Sequence, residues 1–222
     1  MSHDFDQQLE RLRIDTLRMF YTVRESIDKA LRAARHRDGQ LCQEVVDADE
    51  SIDLMECQNE ALGLRLLALR QPVACDLRAI MGSMRIASNL ERIGDEAVNI
   101  VDRAFVLMER PALGETAEVW RLGETSLELF DKAALAFADG SFDLAQTVRQ
   151  SSEATTSLHM KAFRELTEVM IRESRAVERA VQLSFISYSL KRICDRCRNI
   201  SESVIFITKG LDVKHTLCSQ EK

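Results

Sequence analysis

The sequence predicts an all-α fold of two tandem three-helix bundles, and three observations carry that prediction. Its 222 residues include only 2 Pro and 8 Gly, too few for the reversals of a sheet-rich chain. Aromatic residues make up 5%, so side chains that favour strands are scarce, whereas long helices need neither kind. The third observation is an internal repeat. A shift of 100 residues aligns Ile86, Leu90, Arg92, Ile93, Asp95, Asn99 and Ile100 with Ile186, Leu190, Arg192, Ile193, Asp195, Asn199 and Ile200, seven identities in the 15 positions from 86 to 100. The same shift pairs Ala97 with Cys197 and Ala104 with Val204, so a duplication of about 100 residues is the economical reading.

Six helices follow in order. The first runs from Phe5 to Arg35, with Leu9, Leu12, Met19, Phe20, Val23, Ile27 and Leu31 on a helical period, and His36-Arg37-Asp38-Gly39 ends it. The second begins near Gln40, continues through Val45, Ile52, Met55 and Leu62 to about Arg70, and breaks at Gln71-Pro72. The third covers Val73 to Met108; Glu109-Arg110-Pro111 stops it and Ala112-Leu113-Gly114 reads as a linker. The plan then recurs: Thr116 to Ala138, a stop at Asp139-Gly140, a helix from Ser141 to about Arg172, and a last one from Arg175 to Thr208 closed by Lys209-Gly210. The units are residues 1–110 and 111–222, each expected to bury its own apolar stripe in a bundle core.

Composition excludes several functions. With 30 basic against 36 acidic residues the formal charge is −6, which argues against nucleic acid and suits metal cations or a basic protein surface. No apolar run reaches the roughly 18–20 residues of a bilayer span, and the first residues lack a signal-peptide core, so a soluble cytoplasmic protein is expected. Cys42, Cys57, Cys75, Cys194, Cys197 and Cys218 form no disulfide framework. In Cys194-x-x-Cys197 the second thiol joins the apolar stripe and the first lies about 60° away, so packing is expected rather than redox or zinc chemistry. His3, His36, His159 and His215 lack the E-x-x-H spacing of di-iron bundles. There is no G-x-x-x-x-G-K-[ST] loop and no nucleophile elbow, so no enzyme activity is expected.

Two acidic rows remain. On the third helix Ile86, Leu90, Ile93, Ala97, Ile100 and Ala104 form the apolar stripe, and Glu91, Asp95, Asn99 and Asp102 fall opposite at i, i+4, i+8 and i+11. The second helix carries Asp49, Asp53, Glu56 and Glu60 at similar spacing. Facing carboxylate rows repel and invite a cation, and their oxygens suit Mg²⁺, Ca²⁺, Mn²⁺ or iron. Such spacing alone is common among 36 acidic residues and usually marks a solvated face. The recurrence of Arg-Ile-x-Asp-x-x-x-Asn in both halves argues for more than solvation.

The segment Gln71-Pro72-Val73-Ala74-Cys75-Asp76-Leu77-Arg78-Ala79-Ile80, followed by Asn89-Leu90-Glu91-Arg92-Ile93-Gly94-Asp95-Glu96-Ala97-Val98-Asn99-Ile100, strongly resembles the PhoU family of phosphate-signalling accessory proteins. The resemblance implies two three-helix bundles, homodimers, and multinuclear metal clusters held by E/D-x-x-x-D motifs, the metal being iron, Mn, Mg or Zn. Carried over, the first-half site uses Asp49, Asp53, Glu91 and Asp95, with Asn99 and Asp102 extending the row. The second half departs from the pattern: Lys191 stands at the place of Glu91, Cys194 at that of Gly94, and Ser152 and Thr156 at those of Asp49 and Asp53. A degraded or empty second site is therefore expected, with Asp195, Asn199 and Glu202 as remnants. The implied partners are the ATPase of the phosphate transporter and a sensor histidine kinase, with the membrane reached only through them. The rival expectations are a metal-storage or oxidase-like bundle and an adaptor serving another transporter or a stress response.

Overall fold

The computed structural model describes residues 2–70, 72–114 and 116–213, without the side chains of residues 2, 3, 69 and 70. The His3 side chain, Gln71, His215 and Cys218 lie outside the described residues. The helices are α1 (Ser2–His36), α2 (Gly39–Arg70), α3 (Ala74–Met108), α4 (Ala117–Asp139), α5 (Phe142–Gln150), α6 (Ser152–Arg172) and α7 (Val177–Lys209), with a 3₁₀ turn at Ser174–Ala176. No strand occurs among the described residues, and no described helix is long and apolar enough to cross a membrane.

The punctuation follows local chemistry. Pro72 precedes α3, where a missing N–H costs nothing. Gly140 and Gly210 close α4 and α7 in the left-handed conformation, with φ of 60° and 70°. Arg37, with φ of 62°, takes the same conformation without being glycine.

One element differs from expectation. The helix expected from Ser141 to Arg172 is two helices, broken at Ser151. There the Ser151 hydroxyl donates to Val148 O at 2.7 Å while its backbone N–H donates to the same carbonyl at 3.2 Å. No proline or glycine stands at the break, so no breaker residue announced the turn.

Helices α1 and α2 pack on α3, and α4, α5 and α6 pack on α7; α3 and α7 pack against each other and join the halves. The stripe of Ile86, Leu90, Ile93, Ala97, Ile100 and Ala104 is fully buried, as are its repeat partners Ile186, Leu190, Ile193, Cys197, Ile200 and Val204. Rather than two separate cores, one continuous cluster runs from α1 through α3 and α4 to α7. A small satellite of Leu12, Leu66 and Ile80 closes one end of the first half. Ion pairs Arg24–Asp131 and Arg35–Glu124, both 3.3 Å, add a polar seam between α1 and α4.

Candidate metal centre

The two acidic rows lie on neighbouring antiparallel helices, and a glycine sets their separation. A side-chain carbon built on Gly94 of α3 would come 3.2 Å from Ile52 Cδ1 and 3.5 Å from Asp49 Oδ1, so α2 approaches closely where its carboxylates stand. Ile52 is buried in the core, which fixes Asp49 and Asp53 beside it at the helix boundary. Across from them Asp95 is exposed and Glu91 half-buried.

The charges are mutually coupled. Burial raises the Asp49 carboxyl above its usual range, and repulsion from Asp53 and Asp95 raises it further. Glu91 is raised by burial, then by Asp95, Asp53 and Glu56, with Arg92 opposing. Burial, then Glu60 and Asp53, raise Glu56 as well. Asp49, Asp53, Glu91 and Asp95 therefore share one neighbourhood. Glu56 joins them, although the E/D-x-x-x-D pattern did not single it out; its signal was its place three residues beyond Asp53 on the same face. Asn99 and Asp102 do not join: both are exposed, lying one and two turns further along α3, and the Asn99 amide donates to Glu96 at 3.5 Å.

Asp49 Oδ1 is buried without a hydrogen-bond partner. A buried carboxylate oxygen with no donor is costly unless something positive meets it, and an all-oxygen set suits a hard cation. On donor type and electrostatics the four residues fit a metal. Among the described residues no group of three His, Cys, Asp or Glu side chains is close enough to hold an ion as it stands. Repulsion between carboxylates acts against convergence until a cation neutralises them.

The second half is built differently. Lys191 Nζ donates directly to Asp195 Oδ1, an i,i+4 pair on α7. Thr156 turns its hydroxyl back to Ser152 O at 2.8 Å. His159, in the register position of Glu56, lies with Nδ1 3.0 Å from Ser187 Oγ. Asn199 instead donates to Asn89 of α3 at 3.5 Å. Glu202 is buried, with its Oε1 3.2 Å from Arg198 Nε and 3.9 Å from Arg149 Nε. Asp195, Asn199 and Glu202 thus face three different partners and do not form one group.

Cys194 and Cys197 are free and buried. Burial is the main cause that pushes the Cys194 thiol up to about 12 and Cys197 well above its usual value, so both stay protonated and pack as apolar groups. Another residue carries structure that its sequence context did not announce. The Arg37 guanidinium donates to the carbonyls of Leu107 and Met108 at 2.6 and 2.7 Å, and also to that of Arg110, where α3 ends.

Comparison with known proteins agrees with this architecture. The PhoU domain matches twice, over residues 16–104 and 119–204, on either side of the linker. The phosphate-specific transport system accessory protein PhoU homolog of Aquifex aeolicus is 35% identical over 94% of this chain and 95% of its own length. Its counterpart in Pseudomonas aeruginosa is 36% identical over 97% of this chain and 89% of that protein. The crystal structure of PhoU from Pseudomonas aeruginosa superposes with a TM-score of 0.89 at 35% identity, covering 93% of this chain and 100% of that one. The phosphate transport system regulatory protein PhoU from Streptococcus pneumoniae gives 0.87 at 26% identity over 94% of this chain and 99% of that one. With both halves matched and the fold shared end to end, the chain belongs to the PhoU family of regulatory and accessory proteins, which are not enzymes.

Proposed function

We propose that this protein regulates phosphate uptake and phosphate-starvation signalling by docking onto other proteins, and that Asp49, Asp53, Glu91 and Asp95 hold a metal cation on its surface. The observation that carries the regulatory reading is the family match in both halves, among relatives named as accessory proteins of phosphate-specific transport. Its partners are the ATPase of the phosphate transporter and a sensor histidine kinase, met at the cytoplasmic face of the membrane. When phosphate is plentiful, docking restrains import and favours the kinase's inactivating state. Met160, Phe163 and Ile171 share one face of α6 and are 52%, 49% and 80% exposed, an apolar stripe suited to a protein partner, including a second copy of the chain.

At the carboxylate site a bound cation would supply the positive charge that the two rows lack. Asp49 and Asp53 from α2 and Glu91 and Asp95 from α3 would share it, and Glu56 would add charge at the edge. The chain's own part is to hold these groups together against repulsion by burying Ile52 and Ile93 beneath them.

Deletion should derepress a phosphate-starvation reporter in phosphate-rich medium; a silent reporter overturns the regulatory reading. The metal reading has a two-sided test in protein purified without chelators. Asp49→Asn and Glu91→Gln should lose metal by elemental analysis, yet in chelated samples they should be more stable than wild type by roughly 0.2–0.5 kcal/mol for each repulsive pair removed. Equal and negligible metal in wild type and variants would leave these residues as a solvated face.

A further inference from the structure

We propose that a cavity between α3 and α7, at the seam of the two halves, binds a small oxyanion that retains an acidic proton, with inorganic phosphate as its ligand. The cavity, about 230 Å³, has Arg85, Asn89 and Arg92 of α3 on one wall and Arg196, Asn199 and Glu202 of α7 on the other; Asp212, after α7, also lines it.

Its arginines are unusual in their surroundings. In an acidic chain, the neighbouring arginines have carboxylate partners: Arg192 pairs with the buried Glu96 at 3.0 Å, and Arg198 with Glu202 at 3.2 Å. Among the described residues Arg85, Arg92 and Arg196 have no carboxylate within ion-pair distance. Arg85 rests 4.9 Å above the Phe206 ring, which holds its guanidinium without neutralising it. Burial, then the charges of Arg92 and Arg192, weaken the hold of Arg196 on its proton, with Glu96 and Asp195 opposing. Guanidiniums on facing walls match the oxygens of a tetrahedral anion by charge-assisted hydrogen bonds. The amides of Asn89 and Asn199, 3.5 Å apart, add donors and acceptors.

Glu202 narrows the class of anion. Its Oε1 is taken by Arg198, and its Oε2 is buried without a hydrogen-bond partner. A fully ionised anion such as sulfate has nothing to donate to a carboxylate and is repelled by it. Inorganic phosphate near neutral pH keeps a proton and can meet arginines and a carboxylate at once. The choice of phosphate among protonated oxyanions rests on the phosphate-linked function proposed above; the arginine-lined cavity does not.

The test is isothermal titration of the purified, chelator-treated full chain with inorganic phosphate, sulfate and a simple phosphomonoester. Phosphate should bind saturably and more tightly than the other two. Arg92→Gln and Arg196→Gln should each weaken it about tenfold, the scale of one charge-assisted hydrogen bond. Arg85→Gln, on the exposed side, gives a third variant should Arg196→Gln fail to fold, as judged by circular dichroism. Arg121→Gln, at an exposed arginine of α4 outside the cavity, should bind phosphate like wild type, which separates this site from general attraction to surface cations. Absent phosphate binding, equal or tighter binding of sulfate or the monoester, or loss in Arg121→Gln without loss in the Arg92 and Arg196 variants each overturns the site. Binding failure with a derepressed reporter removes this site alone; intact binding with a silent reporter removes the regulatory reading alone.

Discussion

Gly94 and Cys194 occupy the same place in the repeat, and the difference between no side chain and a thiol separates the two halves chemically. Where Gly94 stands, a side-chain carbon would come within 3.5 Å of Asp49 Oδ1, so α2 runs close to α3 there. Where Cys194 stands, the thiol is buried in the core and the polar groups above it are His159, Lys191 and Asp195. That replacement has a pH signature. Burial, then the Lys191 charge, lowers the affinity of His159 for a proton below its ordinary value of 6.5, with Ser187 and Asp195 opposing. The unfolded chain therefore binds more protons at this residue than the folded one in the window between the depressed value and 6.5, and stability falls as pH drops through it. Denaturant titrations across that window should show this slope in wild type and a flatter one in His159→Gln; identical slopes would show that His159 is not coupled to folding.

Arg37 ties the first hairpin to the end of α3, and its role shows what a helix terminus demands. The Leu107 carbonyl accepts from the Arg110 backbone N–H at 3.1 Å as well as from the Arg37 guanidinium, and the guanidinium also serves Met108, with charge of the favourable sign at the end of α3. Arg37→Ala should cost about 1.5–3 kcal/mol in equilibrium denaturation, the range for hydrogen bonds from a charged group. Arg37→Gly loses the same bonds but removes the left-handed strain, so it should be about 1 kcal/mol more stable than the alanine variant. Equal stabilities would deny the strain. Neither function was legible in the His36-Arg37-Asp38-Gly39 string, which announced only a stop. The helices themselves were legible because apolar period and punctuation by Pro72, Pro111, Gly140 and Gly210 are local signals. The break at Ser151 was not, because neither proline nor glycine marks it. The carboxylate rows were legible for the same reason as the helices: a face is a matter of spacing along one element. That Asn199 and Glu202 turn elsewhere depends on the neighbouring helices.

The cavity at the seam belongs to the whole molecule, since its walls come from equivalent helices of the two halves. A repeat predicts that α3 and α7 are alike, but not that they pack against each other, so Arg92 and Arg196 could not be placed on one cavity from periodicity. The seam also explains why the halves share a core. Gly82 of α3 lets α7 approach so closely that a side-chain carbon there would collide with Ile207, and Ser203 O lies 3.6 Å from the same point. With Leu90, Ile93, Leu190 and Ile193 in one apolar cluster, neither half has an independent interior to retain when the other opens. The whole chain should therefore unfold in a single cooperative transition, with coincident helical and tertiary signals. Gly82→Val forces overpacking at the seam and should lower stability by about 1–3 kcal/mol while leaving the transition single. Two resolved transitions in calorimetry would show instead that the duplicated units kept separate cores. They would also remove the physical basis for coupling a ligand between α3 and α7 to the surfaces of both halves, because a ligand at a seam acts on both only where both depend on the seam to stay folded.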